Sequence, residues 1–189
     1  MNNHNNQNIA TIRRARLADV PRMMPLLNEY AQQAEILSRT EEDVYRSIRE
    51  WVVAEAEHKI VGMGSLLVMW QDLAEIRSLV IDPSCQGQGL GRKIVDMLLD
   101  EARLLALPRV FALTRKPGFF LKMGFKLTRI EKLPRKVVRD CVFCPKFHAC
   151  DEVALTISLK DGGIPENLLD LTKIDRNGTA PQAIPLIVP

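Results

Sequence analysis

The chain has 189 residues, enough for one domain with a sizeable core. Hydrophobic residues are 47% and charged residues 26%, the balance of a water-soluble globular protein, and the net charge of +3 is too small to argue for nucleic acid. No apolar run reaches the ~18 residues of a membrane span, and the opening MNNHNNQN has neither the basic nor the apolar region of a secretory signal. Four cysteines without such a signal lead us to expect a reducing, cytoplasmic setting.

Residues 1–8 read as a disordered lead-in. Ile9 to Ala15 alternates apolar and polar side chains, the pattern of a strand. A helix follows from Leu17-Ala18-Asp19, with Asp19 as N-cap, Pro21 in the first turn and an apolar face of Met23, Met24, Leu26, Leu27 and Tyr30. Pro25 either still lies in the first turn or kinks the helix. Thr40 and Asp43 have capping-box spacing and open a second helix that buries Val44 and Ile48. Trp51 to Ala56 and Lys59 to Trp70 form a hairpin through Glu57-His58, with Gly62 and Gly64 marking a bulge in its second strand. A strand from Ala74 to Ile81 leads through Asp82-Pro83-Ser84 into a glycine-rich loop and an amphipathic helix that ends near Pro108. After it come a strand at Arg109 to Leu113, a short helix at Lys116 to Met123, a strand from Gly124, and a last strand at Glu152 to Leu159. Beyond Lys160 the chain turns proline-rich; its apolar end, AIPLIVP, either docks on its own domain or on a second copy, or stays disordered.

The loop Gln86-Gly87-Gln88-Gly89-Leu90-Gly91 sits at a helix start. Unpaired N–H groups and the positive dipole end make that place suited to an anion such as a phosphate. A Walker loop would need Gly-Lys-Ser/Thr, and Gly91 is followed by Arg92-Lys93. Glycines at 87, 89 and 91 do not fit GxGxxG either. The spacing Gln86-x-x-Gly89-x-Gly91 after a strand resembles motif A of the GNAT acetyltransferases, and Pro117 to Phe125 resembles a second landmark of that family. The element order βααβββαβαββ over residues 9–159 is similar to theirs.

That resemblance implies an α/β (α+β) GNAT fold, a mixed central sheet of about seven strands flanked by about four helices. It makes acetyl-coenzyme A the cosubstrate, its pyrophosphate held by Gln86, Gly87, Gln88, Gly89, Leu90, Gly91 and Arg92. Backbone N–H groups of Leu79, Val80 and Ile81 would bond the pantetheine arm and thioester, with Phe120 a further contact. Arg92, Lys93, Arg115 and Lys122 are candidates for the 3′-phosphate, or simply solvated charges. Glu75, on the strand that faces the acetyl group in that family, is the candidate base; the bland alternative is a solvated strand-end charge. Many GNAT enzymes use a tyrosine on the last helix as acid, whereas this chain has Phe119 and Phe120, leaving Thr114 as the nearest hydroxyl or as a plain strand-end residue.

The segments IRRARLADV, ILSRTEEDV, AEIRSLVIDPSCQGQGLGRKIVDMLL, VFALTRKPGFFLKMGFKL and LPRKVVRDC together resemble the acetyltransferase domain of the N-acetylglutamate synthases. This implies L-glutamate as acceptor and Glu75 as the catalytic carboxylate. Arg39, and Arg135 with Lys136, would meet the acceptor's carboxylates, for which an arginine fork is suited. The larger synthases add an arginine-regulated kinase domain, so a stand-alone catalytic domain, possible as a homodimer, is expected here. Another amine as acceptor, or an acyl-coenzyme A or metal-binding module without turnover, are the competing readings.

Cys141-x-x-Cys144 with Cys150 nearby has metal-ligand spacing, and His148 or Asp151 would complete a zinc site. Only one CxxC pair is present, so reduced thiols in the loop 140–152 or a disulfide remain open. Cys85 reads as structural, and neither His4 nor His58 as catalytic.

Overall fold

The computed structural model describes residues 10–133, 136, 141–144 and 146–159. The expected lead-in and the C-terminal tail from residue 160 lie outside the described residues.

The elements follow the expected order: β1 (Thr11–Arg14), α1 (Val20–Gln32), α2 (Glu41–Arg46), β2 (Trp51–Ala56), β3 (Lys59–Trp70), β4 (Leu73–Ile81), α3 (Leu90–Leu104), β5 (Arg109–Thr114), α4 (Pro117–Leu121), β6 (Lys126–Leu127) and β7 (Val153–Ser158). Among the described residues they form one mixed sheet in the order β1-β2-β3-β4-β5-β7-β6. Only β4 and β5 run parallel, because α3 carries the chain back across the sheet between them. The hairpin turn is where the sequence puts it, with Glu57 and His58 both at positive φ (47° and 62°), as a two-residue turn demands.

Strand alternation sorts the core into two faces. Val52, Ala54, Ile76, Val110 and Ala112 meet Leu90, Ile94, Leu98 and Ala102 of α3 and Phe120 of α4. On the other face, Trp51, Val53, Met63 and Val80 meet Val20, Met23, Leu27 and Tyr30 of α1 and Val44 of α2. Leu73, Phe111, Leu133 and Ala154 extend that second face over β5 and β7.

Two local features change or extend the expectation. Asp19 stands at the N-cap of α1, but its side chain makes no cap bond there. Its buried carboxylate instead accepts from the Arg16 backbone N (2.8 Å), from Arg13 (2.6 and 2.8 Å) and from Arg22 (3.0 Å). Glu55 binds the same two arginines, so β1, α1 and β2 share one ion cluster. Second, the bulge expected in β3 is present beside Gly62, where Ala54 pairs Gly62 but Glu55 pairs Ile60 and Val61 is the extra residue, and β4 carries another. Met63 pairs Val80 but Ser65 pairs Arg77, so Ser78 and Leu79 both stand opposite Gly64. Ser78 takes the strained turn with φ 51°. Gly64 answers a packing need instead: a Cβ there would lie 3.1 Å from Ile94 Cγ2 and 3.3 Å from Leu79 Cδ1.

The β4 bulge and the end of β5 together open the sheet. β4 and β5 pair only at Ala74–Val110 and Glu75–Phe111. From Ile76 onward β4 leaves β5, and a wedge begins directly after Glu75.

Candidate functional site

Glu75 lies at the foot of this wedge, between Leu67 of β3 and Phe111 of β5 in register. It is 3% exposed. Lys136 reaches it, with Nζ 2.9 Å from Oε2 and 2.9 Å from Oε1. Lys136 is held by its own N–H on the Leu133 carbonyl (3.0 Å), and Leu133 is anchored in the core over Phe111. Both ions are out of water, which is tolerable only because each satisfies the other. Glu75 is thus an enclosed carboxylate and not a solvated strand end.

Three further residues on this face had no functional reading in the sequence. Arg77, two positions after Glu75 and on the same side of β4, sends Nη2 to Glu50 Oε2 at 2.9 Å. Its Nε is buried without a hydrogen bond. Ser65, its partner in register, is fully buried. Glu152 precedes β7 with its side chain still reached by solvent; the atoms crowded around it push its carboxyl up, opposed by Lys136 and Arg115 and reinforced by the negative charges of Glu75 and Asp151. A pattern search finds none of these, because each gains meaning only from a neighbour far along the chain.

Above the wedge, β4 ends in the glycine loop. Asp82 starts the turn by accepting from Ser84 N (2.9 Å) and Oγ (2.6 Å), bonds that hold its carboxyl below the usual range. Gly87 and Gly89 both have φ 76°, and a Cβ on either would meet nothing within 4 Å. Their backbone conformation, not crowding, calls for glycine. They leave an open surface before the first N–H groups of α3, which is the arrangement an anion needs. Leu90 is buried, so only its backbone faces the loop, while Arg92 is exposed and 3.9 Å from Asp96.

Gln86 has another task than the loop's other members. Its Nε2 donates to Tyr30 Oη (3.0 Å) and to the Ile81 carbonyl (3.2 Å), and Tyr30 Oη also donates to that carbonyl (2.5 Å). This side chain ties the loop to α1. Gln88 donates to the Ser84 carbonyl at 3.4 Å. Val80 points its side chain into the α1 face, whereas Leu79 and Ile81 pack towards α3.

Across the wedge, Thr114 Oγ1 accepts from Lys116 N (2.9 Å) and so shapes the turn into α4, with its own proton still available. Phe120 is 5% exposed and stacks edge-on with Phe119 and Phe125, inside the core rather than at the loop. The ring that reaches the loop is Phe119, 3.5 Å from where a Cβ on Gly91 would stand. The one-residue difference follows from the helical turn of α4, which sends adjacent side chains about 100° apart. Lys116 Nζ meets Glu35 Oε2 (3.1 Å), linking the α4 side to the segment after α1.

Arg39 is half-buried in the segment before α2, between Ile36 and Val44, which both pack into the α1 face. Arg135 lies outside the described residues. Cys141 and Cys144 are half-buried and Cys150 is exposed, and no disulfide joins any two of them. Among the described residues no three His, Cys, Asp or Glu side chains come together to hold a metal. The expected zinc site therefore finds no support: a single CxxC supplies one ligand pair, and Asp151 is engaged by Arg115 (3.0 Å) and Lys146 (3.5 Å). Among the described residues no helix is long and apolar enough to cross a membrane.

Comparison with known proteins agrees with this arrangement. A model of the acetyltransferase (GNAT) family matches residues 20–125. The chain is 35% identical over 148 residues to an uncharacterized N-acetyltransferase of Chlorobaculum tepidum, spanning 78% of this chain and 96% of that protein. It is 44% identical over 126 residues to the amino-acid acetyltransferase of Mycobacterium tuberculosis, spanning 65% of this chain and 71% of the relative. The crystal structure of Rv2747 from Mycobacterium tuberculosis in complex with CoA and NLQ superposes with a TM-score of 0.68 at 32% identity, covering 79% of this chain and 99% of that one. With more than half its length matched by the family model, and with a mixed sheet that splits between β4 and β5, the chain belongs to the acetyltransferase (GNAT) family.

Proposed function

We propose that this protein transfers the acetyl group of acetyl-coenzyme A to the α-amino group of an amino acid, with L-glutamate as the preferred acceptor, by direct transfer between two bound substrates. The observation that carries the reading is the buried Glu75–Lys136 pair at the foot of the wedge. An amino acid brings an ammonium and a carboxylate on adjacent atoms. Inserted here, its ammonium takes the place of Lys136 at Glu75, and its carboxylate takes the place of Glu75 at Lys136. Two ion pairs replace one, and no buried charge is left alone. An acceptor without a carboxylate would offer Lys136 nothing in the place of Glu75.

The chemistry follows from these positions. Glu75 takes the ammonium proton, directly or through a water. The freed nitrogen attacks the thioester carbonyl carbon, the C–N bond forms, and the C–S bond breaks. Coenzyme A leaves as a thiolate and takes a proton for which Thr114 is the candidate donor, replenished from water. Backbone N–H groups of β4 beyond the split would meet the oxyanion. The loop with Gly87 and Gly89 at the start of α3 is the candidate cradle for the pyrophosphate, and Phe119 closes its side. Support for the substrates comes from the name of the Mycobacterium tuberculosis relative, an amino-acid acetyltransferase, and from the CoA in the Rv2747 structure.

The test is a panel of amines assayed for thiol release. Glutamate should exceed γ-aminobutyrate, which lacks the α-carboxylate, by on the order of 100-fold in kcat/KM. Equal turnover of amines with and without that carboxylate would overturn the proposal.

A further inference from the structure

The ion pair at Glu75 accounts for the amine and one carboxylate, but not for how one amino acid is told from another. On the premise that the acceptor is an amino acid held at Glu75 and Lys136, we propose that Arg77 reads the end of its side chain, donating to a terminal carboxylate or carboxamide oxygen.

Three observations place Arg77 in that position. It follows Glu75 by two residues with no bulge between them, so both side chains leave the same face of β4. It reaches away from Lys136. Trp51, Ser65 and Arg77 are aligned across β2, β3 and β4, and the guanidinium bonds Glu50, immediately before Trp51. Its arm therefore crosses β3 above the fully buried Ser65, where a larger residue would obstruct it. Lys136 comes from the opposite side, over Phe111 of β5. The two cations flank Glu75, and an amino acid with its nitrogen there extends one polar end to each.

The third observation is the state of the guanidinium itself. Glu50 takes Nη2 at 2.9 Å, while the neighbouring Nε is buried and has no hydrogen bond. An arginine whose whole purpose was to pair Glu50 would present Nε and Nη2 together to both carboxylate oxygens. Here the fork is half used. The unfilled donor calls for an sp² oxygen, and the neutral Arg77–Glu50 pair accommodates either a carboxylate, with Glu50 displaced, or a carboxamide, with its NH₂ donating to Glu50.

The experiment measures kcat/KM for glutamate, glutamine and norvaline, the last having the same straight carbon chain and no terminal oxygen. For the unaltered protein, the better of glutamate and glutamine should exceed norvaline by about 30- to 100-fold. Arg77→Met should abolish this ratio by lowering the favoured acceptor, with norvaline turnover and the KM for acetyl-coenzyme A changed less than about 3-fold. Arg77→Lys, which keeps the charge without the fork, should give an intermediate ratio and serves if Arg77→Met does not fold. A ratio that survives both substitutions, or an equal fall on all acceptors, assigns Arg77 a structural role and overturns the inference while leaving amino-acid acetylation standing. Absence of turnover on all three amino acids by the unaltered protein would remove both together.

Discussion

Lys136 Nζ lies 2.9 Å from each carboxylate oxygen of Glu75, although 61 residues separate them in sequence. The pair is enclosed at the last position where β4 and β5 pair before they part. A charged pair here is poor value for stability alone, since removal from water offsets most of its attraction. Its position at the wedge makes sense as a place that a zwitterion can enter.

Removing one partner and removing both should therefore differ. Lys136→Met leaves a buried carboxylate alone and should destabilise the protein by about 3 kcal/mol in urea unfolding. The double variant with Glu75→Gln should recover most of that loss. Both should abolish turnover, and Glu75→Gln alone should lower kcat by about 100-fold or more while the KM for acetyl-coenzyme A stays near normal. An unchanged kcat would remove Glu75 as the base.

The loop should respond to backbone strain in a substrate-selective way. Gly89→Ala meets no neighbour but must hold φ 76°, at about 1 to 2 kcal/mol. The expected result is a KM for acetyl-coenzyme A raised about tenfold, with the amino-acid KM unaffected. Equal increases in both would detach the loop from coenzyme binding.

Gly64 should behave differently, because space and not conformation is limiting there. Gly64→Val drives methyl groups into Ile94, Leu79 and Leu98. A loss of about 2 kcal/mol is expected in a thermal or urea melt. A neutral result would mean that α3 can lift from β3 without penalty.

Acid stability should depend on the Asp19 cluster. Hydrogen bonds from Arg13, chiefly, hold the Asp19 carboxyl below its ordinary range, and Arg22 adds attraction. The folded value lies below the unfolded one of about 4, so the stabilisation is complete above about pH 4 and is lost as pH falls through the folded value. Glu55 is lowered too, first by Arg22 and then by Arg13. Asp19→Asn should lower stability at pH 7 by about 3 kcal/mol and flatten the acid limb of a stability–pH curve. If the limb keeps its slope, the acid transition belongs to other carboxylates.

Much of this was legible along the chain. Thr40 and Asp43 cap α2 as their spacing requires, with Asp43 N on Thr40 Oγ1 and Thr40 N on Asp43 Oδ2, both at 3.1 Å. The turn at Glu57-His58, the glycines of the loop and the periodicity of α3 are local matters as well. Hydrogen bonds and side-chain periods act within a few residues, so the residues themselves report them. Glu75 could be marked because it stands a fixed number of residues before that loop.

Other features were decided by the tertiary structure. Ser78 carries a second bulge, in β4, which no glycine announces and which sets Val80 against α1 and Leu79 towards α3. Packing, not sequence position, buries Phe120 and leaves Phe119 beside Gly91. Tyr30 receives Gln86, Glu50 receives Arg77, and Glu75 receives Lys136 across 56, 27 and 61 residues. A side chain declares its charge and size in the sequence. Which partner removes it from water is fixed only when the sheet splits and the helices close over its two faces.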